Sequence, residues 1–434
     1  MRFFEIGDEA AFAEAASFCV TRAAGPCEGP DTQRALDSVK KIVEGVRERG
    51  DEAVAEFTER FDGIRLAPGQ FELTPEEIDR AVASVDESLM NALERARDNI
   101  CQFHERNLRQ SWEEIAEDGS ILGQRITPLE SVGLYVPGGK AFYPSSVLMN
   151  IVPANVAGVA EIVMVSPPSY RGSVHRAVLA AARLAGATRI FRVGGAQAIA
   201  ALAYGTRSIP SVPKITGPGN IYVTLAKRVV SAVCDIDKEA GPSEIVVIAD
   251  EKADPAQVAI ELLAQAEHDE DAVAMLITIS KAKAQQVQKA IEGLLPGLER
   301  RQMIETALTR RGAVFVVASL EEAARLANLI APEHLSIQVE RPRELFDKIR
   351  HAGAVMLGGS TPVAVADYYA GPNHILPTGR RARCASALSV EDFRRTTNFV
   401  QYSMERLRRD AENVIQLAQA EGLTAHARAV ELRL

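Results

Sequence analysis

Four short segments concentrate side chains that can bind a metal or move a proton. The first is Gln265-Ala266-Glu267-His268, near the end of a helix that Asp254-Pro255 would start. Residues three apart share a helix face, so the Gln265 oxygen and a His268 nitrogen can converge on one metal. The same residues also suit a polar last turn, with His268 at the negative end of the helix dipole. Spacing leaves both readings open. The second is Glu333-His334, between Pro332 and the apolar run Leu335–Val339, which puts the pair in a loop at the edge of a sheet. Histidine can take a proton near neutral pH and glutamate can activate water, while a solvated loop pair is the plainer alternative. The third runs from Asp367 through Gly371-Pro372-Asn373 to His374, just beyond a strand expected at Ala354–Gly359. Open α/β sheets bind ligands in loops at the carboxyl ends of their strands, which favours a functional reading there. The fourth holds Glu421 and His426 in a helical tail, five residues apart and off a common helix face unless Gly422 bends the path. By itself it reads as surface.

Glycine turns add a second kind of signal. Pro137-Gly138-Gly139, Gly194-Gly195 and Gly217-Pro218-Gly219 each follow an apolar run and let a ligand approach backbone amides. None forms a GxGxxG with an acid about twenty residues on, so they permit a phosphate-bearing cofactor without specifying a dinucleotide. His104, His175 and His351 belong to no cluster, and neither Cys234 nor Cys384 has a neighbouring base that would mark a nucleophile.

These segments need a frame to hold them. Up to about residue 120 the pattern is mostly helical, with apolar residues at helical spacing through Val39, Ile42, Val43 and Val46 and a second helix from Leu89 to Trp112. From about residue 130, apolar runs such as Glu161–Val165, Arg189–Val193, Glu244–Ala249, Ala272–Ile279 and Ala313–Ala318 alternate with helical segments. Runs of that kind suit strands buried on both faces of a parallel sheet, so the fold is read as α/β. After residue 389 the sheet signal stops, and Val390–Arg409 and Arg409–Leu434 read as helices with no strand between.

The 434 residues allow more than one folding unit, and 47% apolar with 25% charged residues is ordinary for a globular protein. A net charge of −9 argues against a general nucleic-acid binder. Five cysteines without a CxxC pair fit a reducing compartment. The segment MRFFEIGDEA is no signal peptide, and no apolar run is long enough to span a bilayer, so the expected location is the cytoplasm, away from membranes.

Read in order, the blocks resemble the histidinol dehydrogenase family. They are Gly133 to Gly139, Tyr143 to Asn150, Gly194 to Thr206, Ile215 to Asn220, Ala240 to Glu244, Gln265 to His268, Glu333-His334, Asp367 to His374 and Glu421 to His426. The resemblance covers nearly the whole chain. It implies two incomplete Rossmann-like parallel-sheet domains, one inserted in the other, with helical segments at both ends. The implied divisions are an N-terminal helical segment (1–24), a first domain (25–134 with 244–388), an inserted domain (135–243) and a C-terminal dimerisation tail (389–434).

The resemblance also implies roles. Gln265, His268, Asp367 and His426 match zinc ligands, a donor set that suits Zn2+. Glu333 and His334 match the catalytic pair, and Tyr135, Gln197 and Asn220 match contacts to NAD. Ser243, His334, His374 and Glu421 match positions around the substrate, beside the zinc ligands. The implied reaction is oxidation of L-histidinol to L-histidine through L-histidinal with two NAD, in a homodimer whose exchanged tails bring Glu421 and His426 to the partner's site. Two alternatives stand beside it: a paralogue acting on another small polar alcohol, and a non-catalytic nucleotide-binding relative. The family pattern is departed from at Lys238-Glu239, at Val363 and Ala366, and in the basic run Arg380 to Arg383, all flanking the implied site.

Overall fold

The computed structural model describes residues 1–23, 30–138, 142–239 and 241–434. Cys27, Gly139, Ala240 and the boundary expected after residue 24 lie outside these. In chain order the strands are β1 (Arg2–Glu5), β2 (Trp112–Ile115), β3 (Ile121–Pro128), β4 (Ser131–Tyr135), β5 (Glu161–Val165), β6 (Arg189–Phe191) and β7 (Lys214–Thr216). They continue with β8 (Asp235–Ile236), β9 (Glu244–Ala249), β10 (Val273–Thr278), β11 (Ala313–Val316), β12 (His334–Gln338), β13 (Ala354–Leu357) and β14 (Arg394–Gln401).

Two all-parallel sheets carry the α/β body. One has the order β1-β11-β10-β9-β12-β13, the other β6-β5-β4-β7-β8. Every residue of β9 (EIVVIA) and β10 (VAMLIT) is buried, as continuous apolar strands covered on both faces should be. Separate apolar clusters line the two faces of the first sheet, and two more line the second. Among the described residues no helix is long and apolar enough to cross a membrane.

Both ends of the chain are helical, in Glu9–Ala23 and from Met404 on, and each adds a strand that the sequence pattern did not predict. The first residues form β1, which joins the edge of the first sheet and places Phe4 against Phe315 at a ring separation of 5.0 Å. Only four residues long, it gives no period to read. In the tail, Arg394–Gln401 is a strand paired antiparallel with β3 along its whole length, and β2 completes this third sheet. Its Thr396, Thr397, Phe399 and Val400 favour a strand, but neither face is buried, so the alternation that identifies a half-buried strand is missing. Helices Met404–Ala420 and Thr424–Glu431 follow. The helix expected to reach Trp112 ends at Glu105.

The division of the body also differs from the one expected. β4 begins before residue 135 and pairs within the second sheet. Helix Pro30–Arg49 packs on Gly195–Tyr204 and Ile221–Val230, and helix Glu87–Glu105 on Pro144–Ala157, so residues 30–105 cover the second sheet rather than the first.

Candidate active site

β9 and β12 are parallel neighbours with their amino ends in register, His334 lying across from Ile245. Glu333 and His334 therefore meet Glu244 although 89 and 90 residues separate them in sequence. The pair is not in a solvated loop at the sheet's edge. His334 opens a central strand, and both side chains are buried, with 7% exposure for Glu333 and 4% for His334. The Glu244 N–H donates to Glu333 Oε2 at 2.8 Å, and the Ala354 N–H donates to the Glu333 carbonyl at 2.9 Å. That close approach needs Gly353, where a Cβ would stand 2.6 Å from the Glu333 carbonyl oxygen.

His334 Nδ1 is 3.3 Å from the Glu244 carbonyl oxygen and 3.5 Å from Glu333 Oε2, while Nε2 is 3.1 Å from Asp367 Oδ1. A carbonyl oxygen only accepts, so the first contact fixes the proton on Nδ1. Burial works against the imidazolium most strongly, but the Glu333 and Asp367 carboxylates outweigh it and hold the His334 pKa well above its ordinary value. Asp367 shows the reverse balance. Burial raises its pKa, yet the hydrogen bond and charge of His334, with His374 and His268 nearby, bring it below the usual carboxylate range.

Asp367 lies on the short helix Val363–Tyr368, whose first N–H is capped by Glu261 Oε2 at 3.0 Å. Glu261, Gln265 and His268 follow one another at helical spacings of four and three, so one face of helix Pro255–Ala266 and the turn after it holds the Asp367 helix and supplies further donors. Gln265 is buried in its last turn, and His268 borders a cavity of about 450 Å3 with Tyr143, Glu267 and Tyr368. His374 Nδ1 donates to the Asp367 carbonyl at 2.7 Å and Nε2 is 3.2 Å from Ser146 Oγ; burial keeps its pKa below the ordinary value. Asn373 Nδ2 donates to the Met149 carbonyl at 2.6 Å, tying this turn to helix Pro144–Ala157. Ser243 immediately precedes β9.

This group sits at the amino ends of the first sheet's strands, not at the carboxyl ends, because helices Pro255–Ala266 and Val363–Tyr368 run back along the sheet. The carboxyl-end rule applies instead to the second sheet. There β4 and β7 flank the point where the strand order reverses, the position at which open α/β sheets take ligands. Tyr135 ends β4, and its hydroxyl oxygen accepts the Gly195 N–H at 3.2 Å. Gln197 lies in the first turn of helix Gly195–Tyr204, and its Nε2 is buried with no hydrogen-bond partner among the described residues. Asn220 caps helix Ile221–Val230 just after β7, its Oδ1 accepting from Tyr222 and Val223 N–H. Two helix N-termini and an unused buried amide donor fit an anionic, hydrogen-bonding cofactor.

The profile of the histidinol dehydrogenase family matches residues 28–434. The chain belongs to the histidinol dehydrogenase family. It is an oxidoreductase by that membership. A histidinol dehydrogenase from Syntrophotalea carbinolica is 49% identical over 427 residues, covering 98% of both chains. One from Heliobacterium mobile is 52% identical over 396 residues, covering 91% of this chain and 93% of the relative. The crystal structure of histidinol dehydrogenase from Elizabethkingia anophelis superposes with a TM-score of 0.93 at 33% identity, covering 100% of this chain and 98% of that one.

Within this histidinol dehydrogenase fold, one chain brings together Glu333, His334, Asp367 and His374, with His268 close enough to bear on Asp367. Glu421 and His426 stand exposed on the tail, and among the described residues no three of His, Cys, Asp or Glu surround one metal position. Motif reading passed over Glu244, Glu261, Ser146 and Asn373 as individual participants. Of these only Glu261 carries a usable signal, its spacing of four from Gln265.

Proposed function

We propose that the protein oxidises L-histidinol to L-histidine through L-histidinal, with zinc and NAD, in the cytoplasm, as the last steps of histidine biosynthesis. The observation that carries this is the buried His334, with Nδ1 committed to the Glu244 carbonyl and Nε2 facing Asp367, and the Glu333 carboxylate beside it. With Nδ1 committed to the Glu244 carbonyl, Nε2 is the nitrogen that exchanges a proton with the substrate hydroxyl. Asp367, its carboxylate neutralised by holding a metal, would no longer favour the imidazolium, which frees Nε2 to act as base. In the second stage the Glu333 carboxylate takes a proton from the water that adds to the aldehyde carbon, and His334 serves again as base while the hydrate becomes the carboxylate. When bound, NAD accepts one hydride in each stage, and zinc supplies a cation that orients the substrate's imidazole and amine. Asp367, Gln265 and His268 would hold the metal; Ser243 and His374 would contact the substrate. Tyr135, Gln197 and Asn220 would contact the cofactor at the second sheet's switch point.

The fourth ligand, His426, and the substrate contact Glu421 are read as gifts from a partner copy. Helices Met404–Ala420 and Thr424–Glu431 pack chiefly on each other, and leave Leu417 68% and Leu423 43% exposed. A homodimer that exchanges tails would cover these residues and complete both sites.

At Lys238, Glu239 and Val363 the departures from the family pattern serve the scaffold and do not point to another alcohol. Lys238 Nζ donates to the carbonyls of Ile375 and Ser386, Glu239 pairs with Arg228, and Val363 packs into the core of the first sheet. The test is NADH formed from limiting L-histidinol, before and after zinc stripping. Close to two NADH per histidinol, lost on chelation and restored by zinc, is the expected result. No turnover by folded, zinc-loaded protein would reject the substrate.

A further inference from the structure

Glu244 touches both members of the proposed catalytic pair. Its N–H donates to Glu333 Oε2 at 2.8 Å, and its carbonyl oxygen lies 3.3 Å from His334 Nδ1. Its side chain works in the opposite direction. Oε2 accepts the Glu333 N–H at 3.4 Å, and Oε1 accepts the Gly379 N–H at 2.8 Å. Glu333 and Glu244 thus hold each other through reciprocal backbone-to-carboxylate bonds, and Gly379 anchors the arrangement from a separate loop. At 3% exposure Glu244 opens β9, in a layer otherwise made of Ile, Val and Ala. Burying a carboxyl group there costs free energy, which the N–H donors of Glu333 and Gly379 offset only in part.

The geometry points to Glu244 as a positioning residue that aims the Glu333 carboxylate for the aldehyde-to-acid stage; this rests on the catalytic reading of Glu333 given above. Burial, reinforced by the neighbouring Glu333 charge, pushes the Glu244 carboxyl up to about 8. The raised value favours the protonated form, which keeps a second full negative charge away from Glu333. Groups that orient a working side chain in this way are worth about ten- to hundredfold in activity when removed. The Glu244 side chain bonds the Glu333 backbone N–H and makes no hydrogen bond to His334, which is held by the Glu244 carbonyl. Side-chain changes therefore act first on Glu333 and unequally on the two stages.

The experiment compares NADH formation from L-histidinol and from L-histidinal in wild type, Glu244→Ala and Glu244→Gln, with zinc content and melting temperature measured alongside. Expected for Glu244→Ala is a kcat with histidinal about ten- to hundredfold lower, a smaller loss in the first stage, and KM values and zinc content little changed. Glu244→Gln keeps the length but only one acceptor oxygen, so its amide NH2 must face either the Gly379 or the Glu333 N–H. It should recover part of the lost rate, giving more than Glu244→Ala and less than wild type. Equal loss in both stages, or loss that tracks zinc content and melting temperature, overturns the positioning role, as does no loss at all. If Glu244→Ala does not fold, the ratio of the two stages is read on Glu244→Asp, whose shorter side chain withdraws from both N–H groups; an unchanged ratio there also overturns it. Failure of the wild type with both substrates would instead sink the functional reading, leaving the two failures distinct.

Discussion

His334 Nε2 lies 3.1 Å from Asp367 Oδ1, joining the first residue of a central strand to the end of a short helix. The contact depends on two choices of local structure. β12 starts at the level of β9's first residues, and Glu261 caps the helix that carries Asp367. It leaves His334 with one nitrogen held by backbone and the other aimed where an acid, a metal or a substrate hydroxyl would stand.

If Nε2 is the proton acceptor, His334→Gln removes it while keeping a polar side chain of similar reach. The rate of NADH formation from histidinol should fall about a hundred- to ten-thousandfold, the range general-base groups contribute, and zinc content should hold. Steady-state kinetics with elemental analysis of the purified variant tests this. Activity within tenfold of wild type would remove His334 from the chemistry.

Lys238 offers a test of whether the unusual residues near the site change its substrate or only its scaffold. Its ammonium is 7% exposed as a residue and donates to two carbonyls, 3.2 Å from Ile375 O and 2.6 Å from Ser386 O. Lys238→Met leaves both carbonyls short of a donor and should destabilise the fold by about 1–3 kcal/mol. The KM for histidinol should stay as in wild type. Thermal unfolding with kinetics at a temperature where both proteins are folded separates the effects, and an altered substrate preference would return Lys238 to the binding site.

What could be read from sequence was what is local. Gln265 and His268 become candidates by spacing and Glu333 and His334 by adjacency, each beside a plain structural alternative, while β9 and β10 stand out as unbroken apolar runs. Contacts made by register across a sheet leave no such mark: nothing near Glu244 in sequence announces Glu333. The same limit put the acid–histidine group at the wrong end of the first sheet, because the return path of helix Val363–Tyr368 is a tertiary fact. β14 escaped because its pairing buries neither face. The roles of Glu421 and His426 came from family resemblance, and one chain alone gives no geometric reason for them.

Asp62 supplies a pH-dependent prediction away from the proposed metal ligands. It ends helix Asp51–Asp62, its Oδ2 is buried without a hydrogen-bond partner among the described residues, and burial pushes its carboxyl up to about 6 from 3.8. The folded state therefore holds this proton more tightly than the unfolded chain. Stability falls as pH rises from the unfolded value towards about 6, and the loss persists above it. Asp62→Asn cannot ionise. Its melting temperature relative to wild type should rise between pH 4 and pH 6 and level off by pH 8, in calorimetry on cofactor-free protein. A difference independent of pH would mean that Asp62 does not titrate with folding.

Shared sites make the sharpest prediction. In one chain His426 is exposed on a helix pair that packs chiefly on itself, while His268, Asp367 and His334 lie in the body. If tails are exchanged, a body defect and a tail defect on separate chains complement each other. His334→Gln and His426→Ala should each be inactive alone. After subunit exchange, every mixed dimer holds one site with both defects and one with neither. Random exchange of equal amounts then restores about a quarter of the sites in a two-fold symmetric dimer. Activity is read after mixing, with mixed dimers verified by a mass tag on one variant. Recovery towards that level requires that each site draw His426 from the partner copy. If verified mixed dimers recover nothing, body and tail of the same chain must build each site, and the exposed tail would have to fold back onto its own cavity.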